Sequence, residues 1–303
     1  YNPDGESTYT PSDFYYAGLD GTWDNDGDHL YGERAALSVA DEADWYPEVY
    51  VGRITAKTTA ELDTELNKVA NFKGFSDSSI TNMVLCGGVS DVNTDEKILK
   101  EYIRDNFVPS SVTVSELYES VGTLTEAKFA NVVNLHRPEV INSAGHGSET
   151  ALSPGFFKAS TTPSLMKGPM YLWYADACLA ASFDYTSDCC GEAMMKDPDG
   201  GGMFVGATRV SWYWKTYPSH LNGLNGKQDW LFWQHFFQNK IYDPGKCLYQ
   251  SKVTYIAGGP DLQQEYERKN LFAYNLIGDP QARATCAKRG TILFDETLSL
   301  IHI

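Results

Sequence analysis

Two short stretches hold the residue types needed for covalent acyl chemistry. "NSAGHGSE" places His146 between Gly145 and Gly147, and further on "WYADACLA" carries Cys178. A thiolate is a strong nucleophile, and a nearby imidazole lowers a thiol's pKa or protonates a departing amine. The oxyanion that develops needs backbone donors. The N–H groups of Gly147 and Cys178 are the candidates, because a glycine beside the histidine leaves its amide uncovered. One Cys and one His are a weak pattern alone, since buried cysteines without chemistry are common. Their placement adds weight, because each follows an apolar run that reads as a strand: "PEVINSAG" before His146 and "PMYLWYADA" before Cys178.

Those runs belong to a longer alternation. "TNMVLCGG", "SVTVSELYE" and "GGMFVGAT" read as strands. "TDEKILKEYIRDNF", with Ile98, Tyr102 and Ile103 on one face, "LTEAKFANVVNLH" and the short "GEAMMKD" read as helices. Helical stretches rich in Trp and Phe follow Lys227. Upstream, residues to about Trp45 read as loops, "EVYVGRI" as a buried strand and "KTTAELDTELNKVANF" as a helix. In that helix Thr58 and Glu61 fit a capping box, and Leu62, Leu66, Val69 and Phe72 form an apolar stripe. Strands alternating with helices imply an α/β domain with a mostly parallel sheet. Ligands of such sheets bind beyond the carboxyl ends of the strands, so His146 and Cys178 are expected to face one cleft.

The 303 residues suffice for one large domain or two small ones. A net charge of −16 argues against binding phosphate backbones, so no nucleic-acid partner is expected. No apolar run is long enough for a membrane span. The first residues lack a basic patch followed by an apolar run, so they are read as a mature or truncated start and not as a signal peptide. The six cysteines, at 86, 178, 189, 190, 247 and 286, show no CxxC spacing, which disfavours structural zinc. They are too few for a disulfide scaffold, one or two bridges stay open, and Cys189 and Cys190 read as buried thiols. The loop "DGTWDNDGDHLYGE" gathers Asp20, Asp24, Asp26, Asp28 and Glu33. Calcium takes several oxygen ligands, and such a loop offers them. The spacing resembles the opening of an EF-hand, but the glycine and closing glutamate fall at the wrong offsets. A calcium site and a solvated acidic loop both remain readings of it.

"INSAGHGSETALS" and "WYADACLAASFD", in that order, resemble the gingipain family of cysteine peptidases within the caspase-like clan. "DFYYAGLDGTWDNDGD" and "YPEVYVGRITAKTTAE" resemble that family's stretch before the catalytic subdomain. "GGMFVGATRVSW" and "NLIGDPQAR" resemble stretches after the nucleophile, so the likeness runs from about Asp13 to Arg283. It implies a caspase-like, mostly parallel sheet flanked by helices, preceded by a partial second α/β subdomain. Residues 1–77 would be that partial subdomain, 78–285 the catalytic one, and 286–303 a tail or the start of a following module.

The resemblance also implies an endopeptidase cleaving polypeptides after Arg or Lys, with Cys178 as nucleophile and His146 as general acid. "SDVNTDEKIL" matches the segment that supplies the acid of the specificity pocket, which points to Asp91. The same residue also reads as an ordinary acid near a helix start, or as the group orienting His146, because the "GGVSD" loop is short. Trp212 in "ATRVSWYW" matches a tryptophan flanking the pocket, where an indole covers the stem of Arg or Lys. A plain core or surface aromatic is the other reading. Asp176 reads as a pocket or orienting acid, or as a structural acid at a strand end. Structural calcium without a catalytic cofactor, a removed pro-segment, and a secreted or cell-surface location complete the implication. Two other functions stay open: a sortase-like transpeptidase on the same site, and a catalytically silent, calcium-stabilised adhesion or binding domain. His235 reads as a core residue, and His29, His136, His220 and His302 have no nameable partner.

Overall fold

The computed structural model describes residues 9–33, 41, 43–167 and 171–281. Among them, Asn82–Gly87 (β1), Thr113–Tyr118 (β2), Val140–Ala144 (β3), Leu172–Asp176 (β4), Met203–Ala207 (β5) and Tyr274–Gly278 (β6) form one sheet. Its order is β6-β5-β4-β3-β1-β2. Strands β1 to β5 run parallel, and β6 runs antiparallel to β5. Every residue of β3, β4, β5 and β6 is buried. A strand covered on both faces needs apolar residues at successive positions, which is why these segments read as continuous runs without alternation.

Parallel neighbours cannot be joined by tight turns, so the connections carry helices. Lys97–Asn106 (α2), Leu224–Trp233 (α5) and Pro244–Ala257 (α6) cover one face, packing Leu99, Ile103, Phe232, Trp233 and Leu248 on Leu85, Tyr174 and Val205. Glu126–His136 (α3) and Cys190–Lys196 (α4) cover the other, with Phe129, Val133 and Met194 against Val84, Ile141, Trp173 and Phe204. Thr59–Asn71 (α1) precedes the sheet and Glu265–Ala273 (α7) leads into β6. The α/β class and the mostly parallel sheet agree with the expectation.

Several local expectations need correction. Helix α1 has its capping box at Thr58 and Glu61, but its apolar stripe is only half-buried, with Phe72 packed on the core. Leu66 is 40% exposed while Glu65 is fully buried. The helix docks through polar groups, with Lys68 Nζ reaching the carbonyls of Met195 (2.6 Å) and Gly201 (3.1 Å). Helix α2 buries Leu99, Lys100 and Ile103, and Ile98 is 45% exposed. Lys100 is tolerated inside because it pairs with Asp229 and bonds Asn142 Oδ1 at 2.6 Å. "EVYVGRI" is not a strand. It meets β6 at a single bridge, Arg53 with Ile277, where Gly52 lies so close to the Gly278 carbonyl and Pro280 that no side chain fits. Strand β6 itself was not anticipated. The five cysteines among the described residues form no disulfide; the expected tail 286–303, with Cys286 and His302, lies outside them. No helix among the described residues is long and apolar enough to cross a membrane.

Candidate active site

The register of the sheet sets Gly87, Ala144 and Asp176 level at the carboxyl ends of β1, β3 and β4. The backbones stay tied one residue further: Gly88 N–H donates to Ala144 O (2.8 Å) and Gly145 N–H to Asp176 O (3.1 Å). At Gly145 the chain takes φ +147° and turns, and the His146 side chain emerges exposed. Gly147 then passes directly against the segment that carries Cys178. A Cβ there would lie 2.6 Å from the Cys178 carbonyl oxygen and 2.9 Å from Ala177 Cβ. Glycine at 147 is therefore a packing requirement, and it seats the imidazole-bearing turn on the Cys178 backbone. Bonds from Ser153 N–H to His146 O and from Ser148 N–H to Ala151 O flank Gly147; its own N–H takes no part in that small ladder.

His146 Nε2 lies 2.6 Å from the carbonyl of Ser90. A carbonyl only accepts, so Nε2 carries hydrogen and Nδ1 is the nitrogen left for proton transfer. Ser90 sits in the hairpin formed by Val89–Asp91 and Thr94–Asp95, and its hydroxyl donates to Glu96 Oε1 at 2.5 Å. The other Glu96 oxygen is 3.0 Å from Nε2 of the fully buried His220. Burial disfavours the His220 imidazolium, but the Glu96 contact outweighs it and the pKa is raised. The immediate partner of His146 is thus a backbone carbonyl backed by a buried Glu–His pair, and not Asp91. Nothing in the sequence signalled His220, which reaches Glu96 only through the tertiary fold.

Cys178 follows β4 and is half-buried, and Leu179 after it adopts φ +59°. A branched residue in the left-handed region is uncommon and marks an over-determined turn. Leu179 N–H is held by Arg209 O at 3.2 Å. The sulfur lies 3.4 Å from both the carbonyl oxygen and the N–H nitrogen of Ser211, and 3.8 Å from its hydroxyl. Asp176, two residues before Cys178, is 1% exposed. It continues the face of Tyr174, since alternate strand residues share a side, and Oδ1 accepts the Tyr274 hydroxyl at 2.6 Å. Burial, with the Asp229 charge next in size, pushes its carboxyl up to about 7. Asp176 therefore lines no open pocket, which corrects that part of the expectation; a substrate side chain does not reach it.

Asp91 lies half-buried near the tip of the Ser90 hairpin. Its carboxylate accepts the Tyr213 hydroxyl (2.9 Å) and the Asn93 N–H (2.7 Å). Partial burial raises its pKa, but the bonds from Asn93 and Tyr213 and the Lys215 charge together outweigh this and hold it below the usual carboxylate value. Trp212 is pinned by Asn270, which accepts its N–H (2.9 Å) and donates to its carbonyl (2.7 Å). Its ring sits 4.3 Å from that of Tyr266. Tyr213, which the sequence reading passed over, links the two sides of the rim: its hydroxyl also lies 3.4 Å from Ser90 O. Its position inside "SWYW" was the available signal.

The model of peptidase family C25 matches residues 2–285. The chain belongs to peptidase family C25. Lys-gingipain of Porphyromonas gingivalis strain ATCC 33277 is 24% identical over 219 residues, covering 70% of this chain and 11% of the relative. Lys-gingipain W83 of Porphyromonas gingivalis is 23% identical over the same length and shares. The chain thus spans about a tenth of these curated relatives. The crystal structure of the Arg-specific cysteine proteinase gingipain R superposes with a TM-score of 0.64 at 16% identity, covering 84% of this chain and 59% of that one. A complex of pro- and mature domains of RgpB from Porphyromonas gingivalis gives 0.62 at 17% identity, with the same coverage. These likenesses establish the C25 fold. Family membership makes cysteine-peptidase chemistry the frame in which Cys178 and His146 are read.

The acidic segment of this C25 chain divides into two oxygen-only groups. Carboxylates of Asp24, Asp26 and Asp28 lie within 4.8 Å of one another, whereas Asp20 joins Asp44 and Glu48. Glu33 belongs to neither; it is buried, with its N–H on Asp41 Oδ2 at 2.7 Å. Asp44 has its carboxyl raised by burial, with the charges of Glu48 and Asp20 adding to the rise. One Asp44 oxygen is buried without a hydrogen-bond partner among the described residues. Clustered hard oxygen donors suit a cation such as calcium.

Proposed function

We propose that this chain is a cysteine endopeptidase that cuts after Arg or Lys through an acyl-enzyme. One observation carries the reading: Gly147 is packed on the Cys178 backbone, so imidazole and sulfur stand at one sheet rim. The Cys178 thiol yields its proton to His146 Nδ1, and the thiolate attacks the scissile carbonyl carbon to form a tetrahedral adduct, which becomes the thioester when the C–N bond breaks. The N–H of Gly147, with that of Cys178 as the expected second donor, holds the oxyanion. Nδ1–H of His146 gives its proton to the departing amine as the C–N bond breaks. Water, losing a proton to Nδ1, then opens the thioester and releases the acid. The ionised Asp91, bonded to Tyr213 next to Trp212 in the chain, supports a basic side chain before the cut, its charge facing the guanidinium or ammonium and the indole facing the stem.

The same reading includes a secreted or surface enzyme, a removed pro-segment and structural calcium. Asp24, Asp26 and Asp28 would hold one ion, and Asp20, Asp44 and Glu48 a second, with no catalytic role for either. Fluorogenic peptides with Arg, Lys, Asn, Asp or Leu before the cut test the activity. Turnover of the Arg or Lys peptides, falling about 10⁴-fold or more in Cys178→Ala, is expected. Equal behaviour of the two proteins points instead to a silent binding domain, and aminolysis products in place of hydrolysis point to a transpeptidase. Intact mass tests self-processing: wild type should be shorter than Cys178→Ala, and equal masses reject it.

A further inference from the structure

A line of buried groups leads from the sheet interior to the sulfur. Asp176 Oδ1 lies 2.6 Å from the Tyr274 hydroxyl, which lies 3.2 Å from Ser211 Oγ, itself 3.8 Å from Cys178 Sγ. The three groups come from different strands or their ends. Tyr274 is the first residue of β6, and because β6 runs opposite to β5, its start and not its end stands at the reactive rim. Tyr274 pairs with Ala207, and Ala175 pairs with Gly206. The ring therefore crosses the small Ala207 to reach Asp176 on the same face.

We propose that Tyr274 and Ser211 are positioning residues that carry a hydrogen bond from Asp176 to the Cys178 sulfur, and that this bond reaches the sulfur only while Asp176 holds a proton. The tyrosine has one hydrogen for two neighbours. When Asp176 is ionised it only accepts, so it takes that hydrogen. Ser211 then turns its own hydrogen to the Tyr274 oxygen and presents a lone pair to sulfur. When Asp176 is protonated, its O–H donates to Tyr274, Tyr274 donates to Ser211 Oγ, and Ser211 donates to the thiolate. The reversal needs only hydroxyl rotations and the one proton on Asp176. The Ser211 N–H, 3.4 Å from sulfur, serves in both states.

Two features favour the protonated arrangement near neutrality. Asp176 Oδ2 is buried without a partner among the described residues, which penalises a carboxylate. The charged and titratable groups around Asp176 are the Lys100–Asp229 pair, Glu96, His220, Tyr174, Tyr217 and Tyr274. Lys100 is neutralised by Asp229, so this environment offers the carboxylate little compensation. On the sulfur side stand Tyr213 and the exposed His146, which are common to all the variants below.

The inference rests on Cys178 acting as a thiolate, but its test needs no peptide turnover. Alkylation of the full chain by iodoacetamide, followed at Cys178 by peptide mass, is measured against pH. Tyr274→Phe and Ser211→Ala should each move the half-point up by about one pH unit, and the double variant no further than either. Asp176→Asn, whose amide donates to Tyr274 at every pH, should keep the wild-type half-point or lower it. The wild-type curve should be broader than a one-proton titration, and that of Asp176→Asn should narrow to one. A Tyr274→Phe curve superposing on wild type, additive shifts in the double variant, or an upward shift in Asp176→Asn would each overturn the proposal. Thermal melts accompany each variant, since a purely structural loss lowers the melt and leaves the half-point in place. Because the readout is the sulfur itself, failure of the peptidase reading leaves these outcomes distinct.

Discussion

The rim at β3 and β4 and the acidic segment at 20–33 were both suggested by residue types in short patterns, yet they are built differently. At the rim, His146 and Cys178 follow strands whose register leaves little freedom, and Gly147 fits only because it lacks a Cβ. In the acidic segment no ladder fixes the spacing. Its five acids separate: three cluster together, Asp20 joins Asp44 and Glu48, and Glu33 turns inside. A pattern of ligand types predicts a site where secondary structure carries the spacing into space, and only a charge density where it does not.

That contrast can be broken or sharpened by experiment. The largest effect is expected from Gly147→Ala, whose methyl group would meet the Cys178 carbonyl at 2.6 Å. Displacing the turn moves the imidazole and the proposed oxyanion donor together, so kcat/KM should fall by about 10²-fold or more. An unchanged kcat/KM would show that the rim is less fixed than the geometry states. Next, Asp91→Asn should cost about tenfold in kcat/KM for Arg or Lys peptides relative to Leu, the scale of one charged contact. Because Asp91 also caps its own turn through Asn93, both the ratio and the melting temperature are needed, and a lower melt with an unchanged ratio removes it from the pocket. The smallest effect concerns the acidic segment. A chelator such as EGTA should lower Tm by a few degrees, about the scale of ligand linkage for a domain of this size, and Asp26→Asn should shrink that shift. A melt indifferent to chelation would leave both groups as solvated acids.

Much of the sheet was legible because buried parallel strands must be apolar throughout. The five parallel strands and helices α1 to α4 lie where their patterns put them, though the face that α1 and α2 bury was not. Burial of Lys100 depends on Asp229 and Asn142, far along the chain, and no periodicity announces such partners. Strand β6 was hidden for a related reason: its residues follow α7 without a break, so local pattern gave no boundary.

The sequence by itself determined which candidate atoms meet: one thiol after an apolar run, one imidazole between glycines, and the alternation that sends both to the same edge. Tertiary structure alone decided how they are held. Ser90 O holds His146, Glu96 and His220 stand behind it, and Ser211, Tyr274 and Asp176 stand behind Cys178. The reason is physical. Strand formation is governed by near neighbours and burial, whereas a hydrogen-bond partner is whatever group the closed fold brings within about 3 Å.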